Sequence, residues 1–302
     1  MIDTMSYRGR FAPSPSGPLH FGSLIAAMGS YLDARKNQGK WLVRMENIDP
    51  PREVAGAADD ILRTLESFGF EWDEPVLYQS NRLDAYQAAI DQLQQEDLLY
   101  RCFCSRSEIQ ALGIAGAEGV VYPGTCRTGF SLRDVNSKER YALRLITHDR
   151  PVVFNDSIWG AINQRIAREI GDFVIRRADG LFAYQLAVVV DDAYQGITDV
   201  VRGADLLKST PRQIYLQGLL NYPTPNYKHL PLARAPDGRK LSKRLGDDPI
   251  NSSDQITALL AALEFLNQPI PPERPESVGD LWTWAITEWD SRRIINNLDF
   301  TG

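Results

Sequence analysis

Three groups of side chains have the types and spacing that chemistry needs. The first is Pro18-Leu19-His20-Phe21-Gly22-Ser23. Apolar residues follow at helical spacing (Leu24, Ile25, Met28, Tyr31, Leu32), and Asn37-Gln38-Gly39 closes the run. A helix start presents free N–H groups and a partial positive charge, which suits a phosphate. Gly22 allows close backbone approach, and His20 can donate to a phosphate oxygen. Taken alone, a His-x-Gly pair is a weak signal. The second group is Arg239-Lys240-Leu241-Ser242-Lys243-Arg244, after the turn Pro236-Asp237-Gly238. It reads either as a solvated basic loop or as a clamp on a triphosphate, with Lys243 stabilising charge on leaving pyrophosphate. The third is Cys102-Phe103-Cys104 with Tyr122-Pro123-Gly124-Thr125-Cys126. Zinc wants four ligands, typically thiolates and imidazoles. The chain has 3 cysteines, and His148 is the nearest histidine, so His148 or water are candidates for completing a site. The bland alternative is a set of reduced, partly buried thiols.

The elements that must position these groups read as follows. Arg8–Ala12 leads into a breaker-rich loop, Pro13 to Pro18. After the first helix, Trp41–Met45 is a short buried strand. Val54, Ala58, Ile61, Leu62, Leu65 and Phe68 predict a helix closed by Gly69. Residues 80–96 predict another, with Ser80 as its cap. Residues 100–150 change character and read as an insertion ending in the alternation Tyr141–Leu145. Strands are expected at Phe173–Arg176 and Phe182–Val190, joined by the hairpin signal Ala178-Asp179-Gly180, then at Ile197–Val201. Ser209-Thr210-Pro211 starts a helix running to Leu220. The C-terminal part is helical, and Trp282, Trp284 and Trp289 are expected to pack against the body. This order is that of an α/β protein with a parallel sheet.

With 302 residues, 43% hydrophobic and 24% charged, the chain can bury a sizeable core. A net charge of −6 argues against a generic nucleic-acid coat but not against a specific RNA contact. An odd cysteine count argues against a disulfide framework. No apolar run approaches a membrane span, and Met1–Gly9 lacks a signal pattern, so the cytoplasm is the expected compartment.

The first two groups together carry more than either alone. Pro15-Ser16-Gly17-Pro18-Leu19-His20-Phe21-Gly22 resembles the HIGH motif of class I aminoacyl-tRNA synthetases, and Lys240-Leu241-Ser242-Lys243-Arg244, 220 residues after His20, resembles their KMSKS loop. Arg10-Phe11-Ala12-Pro13-Ser14-Pro15-Ser16-Gly17 and Arg44-Met45-Glu46-Asn47-Ile48-Asp49 are similar to the glutamyl/glutaminyl branch. So are Tyr184-Gln185-Leu186-Ala187, Val190-Asp191-Asp192, and Gly196-Ile197-Thr198 through Arg202-Gly203. The likeness spans residues 8–250. It implies a Rossmann-type parallel sheet in two halves (1–99 and 151–235), an inserted zinc-containing subdomain at 100–150, and a loop and helical tail at 236–302 without an anticodon-binding domain.

The resemblance also assigns residues. His20 and Lys243 become catalytic, and His20, Gly22, Ser23, Lys240, Ser242 and Lys243 bind ATP, which enters with Mg2+. Arg10, Phe11, Ala12, Pro13, Ser14, Glu46, Tyr184 and Arg202 form a glutamate site. Arg10 and Arg202 offer forks to the side-chain carboxylate. Glu46 takes the ammonium, and Tyr184 gives a hydroxyl and a wall. Without the resemblance, Arg10, Glu46 and Arg202 read as structural ion pairs. The pattern Cys-x-Cys…Tyr-x-x-x-Cys makes Tyr122 the fourth ligand, beside Cys102, Cys104 and Cys126, of one structural Zn2+. The chain departs from the pattern at Ser23, where the motif has a second His, and at Val188, where glutamyl enzymes often carry Asn.

The short stretch after the basic loop resembles the short members of the branch. Those activate L-glutamate to the adenylate, releasing pyrophosphate, and transfer it to the queuosine base of tRNA(Asp); a monomer is expected. The competing readings are a truncated glutamyl-tRNA ligase charging a 3′ end, a His-x-Gly-His nucleotidyltransferase, and a non-enzymatic paralogue. The presence of both His20 and Lys243 argues against the last.

Overall fold

The computed structural model describes residues 6–116, 119–127, 140–232, 250 and 254–295. The basic segment with Lys240, Ser242 and Lys243 lies outside them. The chain runs β1 (Arg8–Phe11), α1 (Phe21–Lys36), β2 (Lys40–Met45), α2 (Ala57–Ser67), β3 (Leu77–Tyr78) and α3 (Leu83–Gln95). Next come β4 (Leu99–Cys102), α4 (Arg106–Leu112), β5 (Ile114–Gly116), β6 (Gly119–Val121), β7 (Ala142–Leu145), β8 (Val152–Asp156), β9 (Gly160–Gln164) and α5 (Ile166–Glu169). It continues with β10 (Phe173–Arg176), α6 (Tyr184–Tyr194), β11 (Asp199–Gly203), α7 (Thr210–Leu219), β12 (Asn226–Leu230), α8 (Gln255–Phe265) and α9 (Val278–Glu288).

β1, β2 and β3 pair in parallel, and so do β11, β12 and β8, with β9 antiparallel on β8. The two groups abut. β1 lies alongside β11, and the Thr198 N–H donates to the Arg8 carbonyl at 3.0 Å. In the spatial order β3-β2-β1-β11-β12-β8 the strands of the two halves therefore extend in opposite directions from the seam between β1 and β11. In an open parallel sheet, ligands bind beyond the carboxyl ends of the strands at that switch point. Full burial of Trp41–Met45 accounts for the unbroken apolar reading of β2, apart from Arg44.

α1 is buried on nearly all sides, between the sheet and the C-terminal helices α8 and α9. It seats close to β12: a Cβ on Gly29 would sit 2.6 Å from Leu230 Cδ1. Leu24, Met28 and Leu32, each fully buried, stabilise this layer by about 1.5–3 kcal/mol apiece. The tail packs as expected. The Trp282 indole donates to the Phe68 carbonyl at 2.9 Å, and Trp289 donates to Asp33 Oδ1 at 3.0 Å. Trp284 is half-buried.

The structure corrects several expectations. Phe182–Val190 is not a strand: the chain does turn back at Ala178-Asp179-Gly180, but only far enough for one antiparallel bridge, Arg176 with Phe182, before α6 begins at Tyr184. Leu186–Val190 is enclosed by α3, α7 and β10, and enclosure on every side erases the period that separates helix from strand. α2 starts after Gly56, in a left-handed conformation at φ 80, which leaves Val54 outside and exposed. Its predicted stop holds, with Gly69 at φ 72 and the Phe70 N–H bonded to the Leu65 carbonyl. Ser80 does not cap α3. It sits in a 3₁₀ turn, Gln79–Arg82, and exchanges hydrogen bonds with Asn47. A separate antiparallel sheet, β10-β7-β4, draws a strand from beyond residue 150, with Phe173 opposite Leu145. Among the described residues no helix is long and apolar enough to cross a membrane.

Candidate active-site cleft and thiol cluster

A cleft of about 790 Å³ opens at the switch point. The loop after β1 and the start of α1 form one wall, Glu46 after β2 closes one side, and Tyr184 and Arg202 close the other. Arg10, Phe11, Ala12, Pro13, Ser14, His20, Gly22, Ser23, Glu46, Tyr184 and Arg202 all line it. The fold thus brings together every expected ATP and glutamate residue that is described. Val188 is buried in the second apolar core, away from the cleft.

His20 is the N-cap of α1, in extended conformation, and its Nδ1 accepts from the Ser23 N–H at 3.3 Å. The Ser23 hydroxyl lies 3.2 Å from Nε2. Ser23, the departure from the motif, therefore braces the imidazole. A Cβ at residue 22 would meet the His20 ring at 3.2 Å, so Gly22 keeps that ring in place as well as clearing the helix terminus. The first turn of α1 carries no acidic side chain to offset its partial positive charge.

The other wall holds buried charge. Arg10 reaches Asp192 through Nε and Nη2, at 3.1 and 3.4 Å. Arg44, fully buried, contacts Asp192 at 2.8 Å and Glu46 Oε1 at 3.3 Å. Arg10 is thus partly the structural ion pair that composition alone suggested. Arg202 is different. It is 6% exposed, and its partners are His229 Nε2 (3.0 Å), Thr210 Oγ1 (2.9 Å), Gln213 Oε1 (2.7 Å) and the Tyr184 hydroxyl (3.4 Å). Among the described residues it makes no ion pair. Burial pushes the Asp192 carboxyl up, but Arg10 and Arg44 outweigh it and hold it below its ordinary value. Burial raises the Glu46 carboxyl against the pull of Arg44. Burial, with Arg202 adding to it, lowers the His229 imidazole to about 4, so it is neutral near pH 7.

Three guanidinium groups (Arg10, Arg44, Arg202) thus face two carboxylates (Asp192, Glu46), and Arg52 and Asp205 add one charge of each sign to the lining, so positive charge exceeds negative by one at the cleft. Arg44 and Asp192 were not picked out from the sequence, although both lie inside stretches that drew notice. His229 and Asp156 gave no local signal.

The third group also assembles. The sulfurs of Cys102, Cys104 and Cys126 lie within 4.8 Å of one another. A tetrahedral zinc with bonds near 2.3 Å sets its sulfurs roughly 3.8 Å apart, and Cys104 and Cys126 are at 3.5 Å. The Tyr122 hydroxyl, which accepts from the Cys126 N–H at 3.0 Å, is 3.4 Å from Cys102 and 3.9 Å from Cys104. His148 is exposed and outside the group. Three sulfurs at these separations are consistent with a metal site.

Residues 6–259 match the family of class I tRNA synthetases (E and Q), catalytic domain. The chain is 55% identical over 286 residues to the glutamyl-Q tRNA(Asp) synthetase of Dechloromonas aromatica, covering 94% of each chain. It is 51% identical over 292 residues to that of Pseudomonas aeruginosa, covering 96% of each. Among solved structures it resembles a glutamate tRNA ligase from Elizabethkingia meningosepticum, with a TM-score of 0.80 and 26% identity. That likeness covers 96% of this chain and 66% of the other.

Proposed function

The chain belongs to the class I tRNA synthetases of the glutamate and glutamine type, and on that premise we propose that it activates L-glutamate with ATP and transfers it to the queuosine base of tRNA(Asp). The observation that carries the glutamate reading is Arg202, a buried cation held by neutral partners only. An uncompensated buried charge is costly and calls for an anion. Glutamate, with two carboxylates and one ammonium, brings a net charge of −1 to a wall with a surplus of +1. In this reading Arg202 takes the side-chain carboxylate, and the oxygen of Glu46 not engaged by Arg44 takes the ammonium. Arg10 adds field from behind, and Tyr184 forms a wall. The choice of tRNA(Asp) rests on relatives 51–55% identical over nearly the whole chain.

ATP would lie over the start of α1, with its phosphates at His20, Gly22 and Ser23 and against Lys240, Ser242 and Lys243. Mg2+ bound with ATP supplies charge neutralisation on the phosphates. The substrate α-carboxylate attacks the α-phosphorus in line, forming glutamyl-adenylate and releasing pyrophosphate. His20 donates to a phosphate oxygen as charge builds, and Lys243 steadies the leaving pyrophosphate. Positioning and electrostatics carry the step, without an enzyme nucleophile. Cys102, Cys104, Cys126 and Tyr122 would hold one structural zinc, which ties the insertion at 100–150 together. We take the protein to act as a cytoplasmic monomer.

The test has two stages. Glutamate-dependent ATP–pyrophosphate exchange without RNA is expected, and exchange with another acid but not with glutamate would reject the reading. Labelled glutamate should then enter tRNA(Asp) that carries queuosine and not the same tRNA lacking it. Equal labelling of both would make the protein an ordinary tRNA ligase.

A further inference from the structure

We infer that His229, held by Asp156, is a neutral spacer that aims Arg202 at the cleft without cancelling its charge, and that this arrangement makes the cleft select a carboxylate side chain over an amide. The inference rests on the glutamate reading and adds the residues that determine its specificity.

The protons can be followed through the chain of contacts. Asp156 ends β8 and is 1% exposed. Its Oδ1 accepts from the Ile158 and Trp159 N–H groups, both at 3.0 Å, and its Oδ2 lies 2.6 Å from His229 Nδ1. An ionised carboxylate only accepts, so Nδ1 carries the imidazole proton. Nε2 is then a lone pair, and it accepts from Arg202 Nε–H at 3.0 Å. The Thr210 hydroxyl accepts from Arg202 Nη2, and its one hydrogen lies between the Leu206 carbonyl at 3.2 Å and Nε2 at 3.1 Å, so Nε2 acts only as an acceptor toward both neighbours. Gln213 Oε1 takes the other Nη2 hydrogen. Its amide nitrogen is fixed in turn on Gln185.

Arg202 has therefore committed Nε and Nη2 and keeps Nη1, 3.4 Å from the Tyr184 hydroxyl, for the cleft. With one Nη1 hydrogen toward the Tyr184 hydroxyl, it offers an end-on donor rather than the open fork that the sequence suggested. A carboxylate could have held the guanidinium in the same place, but as an ion pair it would have left little positive charge for a ligand. With the imidazole interposed, the carboxylate fixes geometry and the guanidinium stays uncompensated. An amide side chain can accept from Nη1 but brings no charge to answer it.

The decisive variant is Gln213→Glu. It is isosteric and keeps Arg202 anchored while placing a negative charge on Nη2, and the Gln185 amide turns over to donate where it had accepted. In RNA-free exchange it should raise the KM for glutamate about 10- to 100-fold and leave that for ATP within about twofold, with thermal stability no lower than wild type. Asp156→Asn acts from the other end. Its Oδ1 must still serve the backbone N–H groups of Ile158, Trp159 and His229, so its NH₂ faces the His229 ring and drives the proton to Nε2, donor against donor with Arg202. It should narrow the glutamate-over-glutamine preference by a similar factor. His229→Gln, whose amide supplies an acceptor toward Arg202 and a donor toward Asp156, should recover most of it, whereas His229→Leu should not. A merely structural role predicts a smaller active fraction with unchanged KM values and preference; that pattern, or an unchanged glutamate KM in Gln213→Glu, would overturn the inference while wild-type exchange still supported the function. Absence of glutamate-dependent exchange in the wild type would overturn both.

Discussion

The two ends of the parallel sheet both bury charge, and they do so differently. At the carboxyl end, Arg202 sits among neutral partners beside a cleft of about 790 Å³. At the amino end lies a hollow of about 520 Å³ around Asp33, itself 4% exposed. There the carboxylate receives Lys228 Nζ at 2.8 and 3.0 Å, the Tyr7 hydroxyl at 2.7 Å and the Trp289 indole at 3.0 Å. Asp33 has full partnership within the protein, and Arg202 does not. Burial of charge is common to both ends, so it does not mark a ligand site; incomplete pairing does.

The contrast can be broken most directly by Arg202→Ala. The expected loss in kcat/KM for glutamate is about 10³-fold in ATP–pyrophosphate exchange, with the KM for ATP nearly unchanged. Retained activity would move the essential cation elsewhere. Asp33→Ala should do the reverse. It strands Lys228 in a partly buried place and should cost about 3 kcal/mol in urea unfolding, with the glutamate KM unaffected. A raised KM there would show that the two ends are not independent.

Acid sharpens the comparison further. His229 titrates near 4 in the folded chain against 6.5 as its ordinary value, because burial opposes its charge. Between those values the unfolded chain binds the extra proton, so stability falls as pH drops through that window. The expected loss is about 1–2 kcal/mol between pH 6.5 and 5, and His229→Gln should flatten it. Asp192 has the opposite kind of history but the same sign. Its folded value is lowered, so its contribution is present above its ordinary carboxylate range and is lost only at lower pH. The two losses should therefore separate along a pH titration of unfolding. The smallest effect on the cleft should come from metal removal. A chelator should lower Tm through the thiol cluster and leave the glutamate KM within about twofold.

Local patterns carried much of this into the sequence. The helix start beside His20, the buried face of α1, the stop at Gly69 and the sulfur donors at Cys102, Cys104 and Cys126 all depend on neighbours within a few turns or on a short motif. What stayed hidden depended on long-range encounters. Asp156 and His229 are separated by 73 residues, Arg10 and Asp192 by 182. α6 was misread because a helix enclosed on all sides has no polar face to reveal its period. Glu46 and Arg202 were legible through family likeness alone, and their differing charge balance appears only when their partners are in view. The basic segment at Lys240–Lys243 lies outside the described residues, so its convergence on His20 stands as a proposal.

The seam between β1 and β11 has a consequence for how the protein is made. β1 leaves the ribosome well before its neighbour β11, which arrives nearly 200 residues later. A nascent chain can assemble the β1-β2-β3 half while one edge of β1 stays open, and an open edge invites pairing with another chain. Premature termination ahead of β11 would yield a sticky half-sheet rather than a smaller enzyme, so newly made protein depends on completing synthesis promptly or on a chaperone shielding that edge.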